Sequence, residues 1–238
     1  MKRRKEINNI NYILFCVSCV HWLLSIQTDK YIFNLNNISD AKYWLAKVVF
    51  FPFVFMIWRF IYIALKKIKT RDEHAIKWIS YSMIYAVVLC VILVCVWPGI
   101  WRTDEFGVLG NVTSLQIYWW QHFITSIFYM ISLMLIPIPS GVILVQIMLV
   151  CIAFGYIAQK MEQSIGKQWS GLFFLIPFCV PSVIMFHLYP MRIVLYTIVE
   201  LVIWVFLYFE IERFSQLSIH SCCLLAIGNV LLAVWRTF

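Results

Sequence analysis

The sequence predicts an all-α integral membrane protein with about seven transmembrane helices and one interfacial or re-entrant helix. Of its 238 residues, 63% are hydrophobic and only 13% are charged, whereas about a quarter of the residues in a soluble domain are charged. Its apolar runs are too long and too uniform for the alternating strands of a membrane barrel. No soluble domain or internal repeat is evident, so residues 1–238 are predicted to form a single transmembrane domain.

Seven apolar runs are long enough for membrane-spanning helices, which need about 20 residues and at least roughly 17. They are Ile10–Ile26, Trp44–Leu65, Ile79–Trp97, Val142–Ala158, Leu172–Leu188, Ile193–Phe209 and Leu217–Trp235. A further segment, Phe123–Ile138, is shorter, and Pro137 and Pro139 disrupt helix continuation at its end. We expect this segment to be re-entrant or interfacial.

The distribution of basic residues predicts the orientation. The "KRRK" motif near the start and the Lys-rich loop from Lys66 to Lys77 both belong in the cytoplasm by the positive-inside rule. Residues 1–9 are then a cytoplasmic tail, and residues 98–141 form an extracytoplasmic loop with amphipathic or re-entrant helices. The formal net charge of +8 comes from cations in short loops beside apolar runs, which indicates topology signals and contacts with membrane lipids. We therefore expect no nucleic-acid partner.

The stretch "WPGIWRTDEFGVLGN" lies in this predicted loop and contains two adjacent carboxylates, Asp104 and Glu105. Gly107 and Gly110 permit an irregular loop in which the two acids share one site. One carboxylate can act as a general base, and another can hold a divalent cation. The alternative is that a short exposed loop contains acids because they are well solvated there.

The same stretch, with the aromatic residues and the short apolar run ending in "PIP" that follow it, resembles the first extracytoplasmic loop of GT-C superfamily membrane glycosyltransferases. The resemblance implies that Asp104 is the essential base or metal ligand and that Glu105 is its partner. It also implies transfer of a sugar from a polyprenyl-phosphate-linked donor to a lipid, polysaccharide or protein, at the inner membrane of a bacterial cell. Some such enzymes use a divalent cation, Mg²⁺ or Mn²⁺.

A weaker likeness to the same superfamily lies in "HLYPMRIVLYTIVELVIW", where the family pattern reads Arg-Asp and this chain has Arg192 followed by Ile193. Arg102, His122 and Arg192 are the candidate contacts of the donor phosphate, and a guanidinium group suits that role for the two arginines. The alternatives are a cytoplasmic positive-inside anchor for Arg192 and an interfacial position for His122. Similar proteins continue into further spans after a stretch like the C-terminal "LLAVWRTF". A truncated chain, or a partner chain that supplies the missing C-terminal spans, is therefore expected.

Glu200 is an intramembrane carboxylate, which must face the interior of the bundle or be protonated. We expect it to bond with His21, Ser218 or His220, and a proton relay is the functional alternative. His187 is expected to join Arg192 at the external surface. Two other functions stay open: a noncatalytic membrane subunit or remnant of such an enzyme, and a transporter or flippase component.

Overall fold

The computed structural model describes residues 2–118, 123–214 and 218–236. These residues form helices and no strands, which confirms the predicted all-α fold. The helices are α1 (Lys2–Asp29), α2 (Asp40–Lys69), α3 (Glu73–Cys95), α4 (Thr103–Val112), α5 (Phe123–Leu135), α6 (Gly141–Ile165), α7 (Leu175–Phe178), α8 (Pro181–His187), α9 (Arg192–Phe214) and α10 (Ile219–Arg236). Short 3₁₀ helices occupy Leu35–Asn37 and Ser170–Phe174.

Five described helices are long and apolar enough to cross a membrane, and a sixth crossing results if one bent pair is counted as a span. The five are Ile10–Asp29, Asp40–Lys69, Glu73–Cys95, Gly141–Ile165 and Arg192–Ile211. Their outer faces expose large apolar side chains such as Leu24, Met56 and Val94, as lipid-facing surfaces do. The last predicted span corresponds to α10, in which Ser221–Val230 is a shorter apolar helix.

The predicted span Leu172–Leu188 is not one continuous helix. Its two parts, Ser170–Phe178 and Pro181–His187, are bent by 82° relative to each other. Val180 has an extended backbone conformation, which is the conformation favoured for the residue before a proline. Pro181 begins α8 at its first turn, where its missing N–H costs no helical hydrogen bond.

Helix α6 is the centre of the bundle, because 72% of the residues in its apolar stretch are buried inside the protein. Helix α3 packs along it in the antiparallel direction, since Lys77 near the start of α3 pairs with Glu162 near the end of α6. The carboxylate of Glu162 also accepts a hydrogen bond from Tyr81. We call this end of the bundle the basic end, because it includes Lys66, Lys67 and Lys69 of α2, and the opposite end the site end.

The antiparallel packing of α3 and α6 determines the path of residues 96–140. The segment leaves α3 and enters α6 at the same end of the bundle, so it makes no net crossing. Helix α5 has 13 residues and is therefore about 20 Å long, too short to span the hydrocarbon core. The re-entrant or interfacial placement predicted for this segment agrees with its length and connections.

Candidate functional site

Helix α4 at the site end carries Asp104 and Glu105 in its first turn. The irregular loop predicted for these residues is wrong, because residues 103–112 form a regular helix. The Glu105 side chain stabilises its start, since Oε2 accepts a hydrogen bond of 3.0 Å from the backbone N–H of Arg102. This contact is one half of a capping box, which satisfies a backbone donor that lacks a helical partner.

The helical conformation places the two carboxylates in different environments. Successive helical residues point about 100° apart, and here Glu105 is 1% exposed whereas Asp104 is exposed. The two acids therefore do not face one shared cavity. Asp104 is the carboxylate accessible to a substrate, and the Glu105 carboxylate is used inside the protein.

The buried face of α4 fixes the helix to the α1–α2 hairpin. Val108 and Val112 are fully buried and belong to the same apolar cluster as Phe33 and Ile38 from the loop of that hairpin. A backbone hydrogen bond of 2.8 Å, from the Asn34 N–H to the Thr113 carbonyl, joins the hairpin loop to the end of α4. Asp104 is thus displayed from a supported helix at the site end.

The chain between α8 and α9 lies against the residues that precede α4. The Nε2 group of Gln146 in α6 donates to the carbonyls of His187 and Tyr189, at 2.8 and 2.5 Å. The Tyr129 hydroxyl donates to the Pro190 carbonyl at 2.6 Å, and the Ile100 N–H donates to the Leu188 carbonyl at 3.3 Å. The structure therefore brings together the two segments that sequence analysis selected as candidate external loops.

Arg102 is held by Tyr189 across this junction. The guanidinium Nε donates to the Tyr189 hydroxyl at 2.8 Å, and the guanidinium carbon lies 4.7 Å from the centroid of the Tyr189 ring. The hydrogen bond to the Tyr189 hydroxyl is the main cause of a raised pKa of the exposed Arg102 group. A permanent positive charge is thus fixed two residues before Asp104.

Two buried donors at the site end have no hydrogen-bond partner in the described parts of the chain. They are Nη1 of Arg192, at the start of α9, and Nε1 of Trp101. The Trp101 ring stacks on Phe106 at 5.5 Å and meets Tyr129 edge-on at 6.3 Å. Unpaired buried donors are uncommon in proteins, and each of these two lies in one of the segments that sequence analysis selected. His122, the other predicted phosphate contact, lies outside the described residues.

Helix α4 offers the predicted divalent cation one accessible carboxylate, that of Asp104. Within residues 2–118, 123–214 and 218–236, no three His, Cys, Asp or Glu side chains form a group that could hold a metal ion. Mg²⁺ commonly binds proteins through one or two carboxylates and takes further ligands from substrate phosphates and water. Because Asp104 offers a single carboxylate, it fits only a metal ion that takes its remaining ligands from phosphate and water.

Two of the three partners predicted for Glu200 bond with other residues, and the third lies outside the described side chains. His21 instead accepts a hydrogen bond from the Trp58 indole at 3.2 Å, because its ring faces α2. Ser218 bonds with Ser221 at 2.9 Å, and the side chain of His220 is outside the described set. His187 is also not at the surface, since it is 2% exposed and its Nδ1 bonds with the Tyr85 hydroxyl at 2.8 Å.

Sequence analysis missed a buried ion pair between α1 and α2. Lys47 Nζ lies 2.6 Å from Asp29 Oδ2, and neither side chain is exposed. Both residues lie close to the ends of apolar runs, where they resemble ordinary flanking charges. The one signal of this buried site in the sequence is a polar residue, Ser25, one helical turn before Asp29. In the structure the Ser25 hydroxyl accepts a hydrogen bond of 2.6 Å from Lys47.

Comparison with protein-family models, with curated proteins and with solved structures found no match for this chain. Similarity therefore assigns it to no family. Its function is proposed from the side chains at the site end.

Proposed function

We propose that this chain is a membrane glycosyltransferase of the GT-C type, which transfers a sugar from a polyprenyl-phosphate-linked donor to an extracytoplasmic acceptor. The observation that carries the proposal is the placement of Asp104, an exposed carboxylate on a supported helix beside the anchored cation of Arg102. The acceptor would be a cell-surface glycan, lipid or protein. The site end would face outward from a bacterial inner membrane, with the N-terminus and the basic end in the cytoplasm.

In this proposal Asp104 is the general base. It accepts the proton of an acceptor hydroxyl while that oxygen forms a bond with the anomeric carbon of the donor sugar. The bond between this carbon and the phosphate oxygen breaks, and the lipid phosphate leaves with the electron pair. A phosphate leaving group needs no added proton, so one accessible carboxylate is sufficient.

The cations of the site end would bind the donor phosphate. Arg102 is anchored by Tyr189, and Arg192 has a buried donor without a partner among the described residues. Guanidinium groups bind phosphate oxygens with paired hydrogen bonds, and His122 would be a third contact. In the alternative role of Asp104 as a metal ligand, a Mg²⁺ or Mn²⁺ ion held by this carboxylate and the phosphate would neutralise the negative charge that develops on the leaving group.

Glu105 has a supporting role in this proposal. Its buried carboxylate bonds with the backbone of Arg102 and so fixes the start of α4, from which Asp104 projects. It would act on the reaction by positioning its neighbours.

The test is sugar transfer in membranes that contain matched amounts of the wild-type chain or of a variant. The donors are a panel of radiolabelled polyprenyl-phosphate sugars, and the variants are Asp104→Asn and Asp40→Asn. Asp40 is the matched control, because it is also an exposed aspartate in the first turn of a helix at the site end. We expect the Asp104→Asn variant to lose transfer by 100-fold or more, within the range of general-base contributions of about 10²–10⁴.

Three results would contradict the proposal. Equal transfer by the wild-type and Asp104→Asn chains would remove Asp104 from the reaction. No transfer from any donor by the wild-type chain would favour a noncatalytic subunit or remnant, or a chain that needs a partner chain. Flux of a donor across the membrane without transfer would favour a flippase.

A further inference from the structure

Two charged side chains lie deep within the candidate spans. Arg59 is 19 residues after Asp40 and 10 before Lys69, and Glu200 is 8 residues after Arg192 and 11 before Ile211. Every other Asp, Glu, Lys and Arg in the five described spans is within seven residues of a span end. The two deepest charges are thus of opposite sign.

Neither of these two charges has a partner among the described residues. The ion pairs that involve span residues join Asp29 with Lys47, Lys67 with Asp72 and Lys77 with Glu162. Arg59 is exposed on α2 and Glu200 is half-buried on α9, and neither makes a hydrogen bond or an ion pair within the described chain. An ionised side chain at the centre of a bilayer costs about 2.5–3.5 kcal/mol on insertion scales. Pairing between the two would reduce that cost.

Arg59 and Glu200 also lie at matching depths. Helix α2 ends at the basic end, and α9 ends there too, because Lys160 near the end of α6 lies 5.8 Å from the centroid of the Phe209 ring. At 1.5 Å per residue, Arg59 is about 15 Å and Glu200 about 16 Å from the basic ends of their spans. An ion pair between two copies embedded in the same bilayer is therefore geometrically consistent.

Glu200 lines an open cleft between α9 and α10. These helices are joined near the basic end, where Ser221 Oγ donates to Glu210 Oε2 at 2.8 Å. Further from this end, Glu200 lines a cleft of about 600 Å³ between the two helices. Asn229, Trp204 and Tyr196 also line this cleft, together with apolar side chains. A polar group at mid-bilayer depth could therefore approach Glu200 from the side.

We infer that the α9–α10 cleft is the docking surface for a second copy of this chain, whose Arg59 pairs with Glu200. Charge complementarity favours a second copy over another occupant, because each copy carries, at about the same depth, one cation and one anion that have no partner among the described residues. In a closed symmetric oligomer every copy makes the same contacts. The Arg59 and the Glu200 of each copy would then both be paired. A lipid chain in the cleft would leave both charges unpaired. The inference does not depend on the proposed enzymatic activity.

The test co-expresses two differently tagged full-length copies and measures the fraction that co-purifies from one membrane in mild detergent. Wild-type copies are expected to co-purify. When all copies carry Arg59→Glu, or all carry Glu200→Arg, the co-purifying fraction is expected to fall at least about tenfold. Each substitution places like charges opposite each other at the contact. The Lys167→Glu variant is the control, since Lys167 is an exposed loop residue at the basic end, and it should co-purify like the wild type.

The decisive arm mixes one copy carrying Arg59→Glu with one carrying Glu200→Arg. In the mixture, opposite charges face each other at both contacts, although each protein carries the same substitution as it does when expressed alone. Recovered co-purification would therefore show that charge repulsion, and not misfolding, weakened the association of each variant with itself. Wild-type association that neither reversal weakens would overturn the inference. Wild-type copies that do not associate at all would also overturn it, and would indicate that a different protein or lipid covers the cleft.

A milder variant keeps the inference testable if a charge reversal prevents insertion into the membrane. Glu200→Gln retains the shape of the side chain and removes its charge. We expect it to weaken association of the copies about threefold, the effect of a typical polar contact between helices in a bilayer. Unchanged association of this variant would overturn the role of Glu200.

Discussion

Lys47 and Asp29 form an ion pair in which both side chains are fully buried, with Nζ 2.6 Å from Oδ2. The Tyr43 hydroxyl also donates to Asp29, at 2.8 Å. The pair closes the α1–α2 hairpin immediately below the loop that packs on α4. Through this loop the buried charges support the helix that displays Asp104.

Removing one member of this pair should destabilise the protein strongly. Lys47→Met would leave the Asp29 carboxylate buried without its counterion, and the loss of one partner of such a pair costs about 3–5 kcal/mol. The measurement is thermal unfolding in detergent, followed by loss of helical signal. The double variant Asp29→Leu with Lys47→Met should recover most of the lost stability, since an apolar pair carries no buried charge. A single variant as stable as the wild type would contradict this prediction.

The two acids at the start of α4 should respond differently to alanine. Glu105→Ala removes the partner of the Arg102 backbone N–H and should cost about 1 kcal/mol, as loss of a helix-capping group does. Asp104→Ala changes an exposed side chain and should alter the free energy of unfolding by less than about 0.5 kcal/mol. Thermal unfolding of both variants in the same detergent checks the difference. Equal destabilisation would mean that Asp104 also has a structural contact.

The membrane-spanning helices could be predicted from the sequence because long apolar runs carry a strong signal. The short length of Phe123–Ile138 also predicted a segment that does not cross. The break at Val180 could not be predicted from hydropathy, which stays high over residues 172–188, although Pro177 and Pro181 are a local signal for a break there. Backbone conformation, which hydropathy does not report, determines that break.

The candidate site was predicted in part. Asp104 and Arg102 were selected from their types and neighbours, but the separation of Asp104 from Glu105 depends on helix formation by residues that include two glycines. Tyr189 was not selected, because its contact with Arg102 joins positions 87 residues apart. Contacts over such separations leave no local pattern in a single sequence.

The packing of α3 on α6 should be sensitive to the size of residue 155. A Cβ added at Gly155 would contact Ser82 and lie 2.5 Å from the Trp78 carbonyl oxygen, so Gly155→Ala should force the helices apart and cost about 1–3 kcal/mol. Gly110→Ala is the matched control, because a Cβ there has no neighbour within 4 Å. This control should stabilise α4 by about 1 kcal/mol. The prediction fails if thermal unfolding shows equal shifts for the two variants.

The hydroxyl of Tyr189 should influence donor binding more than stability. Tyr189→Phe keeps the ring under the Arg102 guanidinium but removes the 2.8 Å hydrogen bond, so Arg102 would sample more orientations. If the proposed activity is correct, the KM for the polyprenyl-phosphate sugar should rise about threefold to tenfold, which corresponds to a net hydrogen bond of about 0.5–1.5 kcal/mol. We expect kcat and the melting temperature to change little. Tyr31→Phe, at an exposed tyrosine in the α1–α2 loop, is the control and should leave KM unchanged, and a similar KM for both variants would exclude the anchoring role of Tyr189.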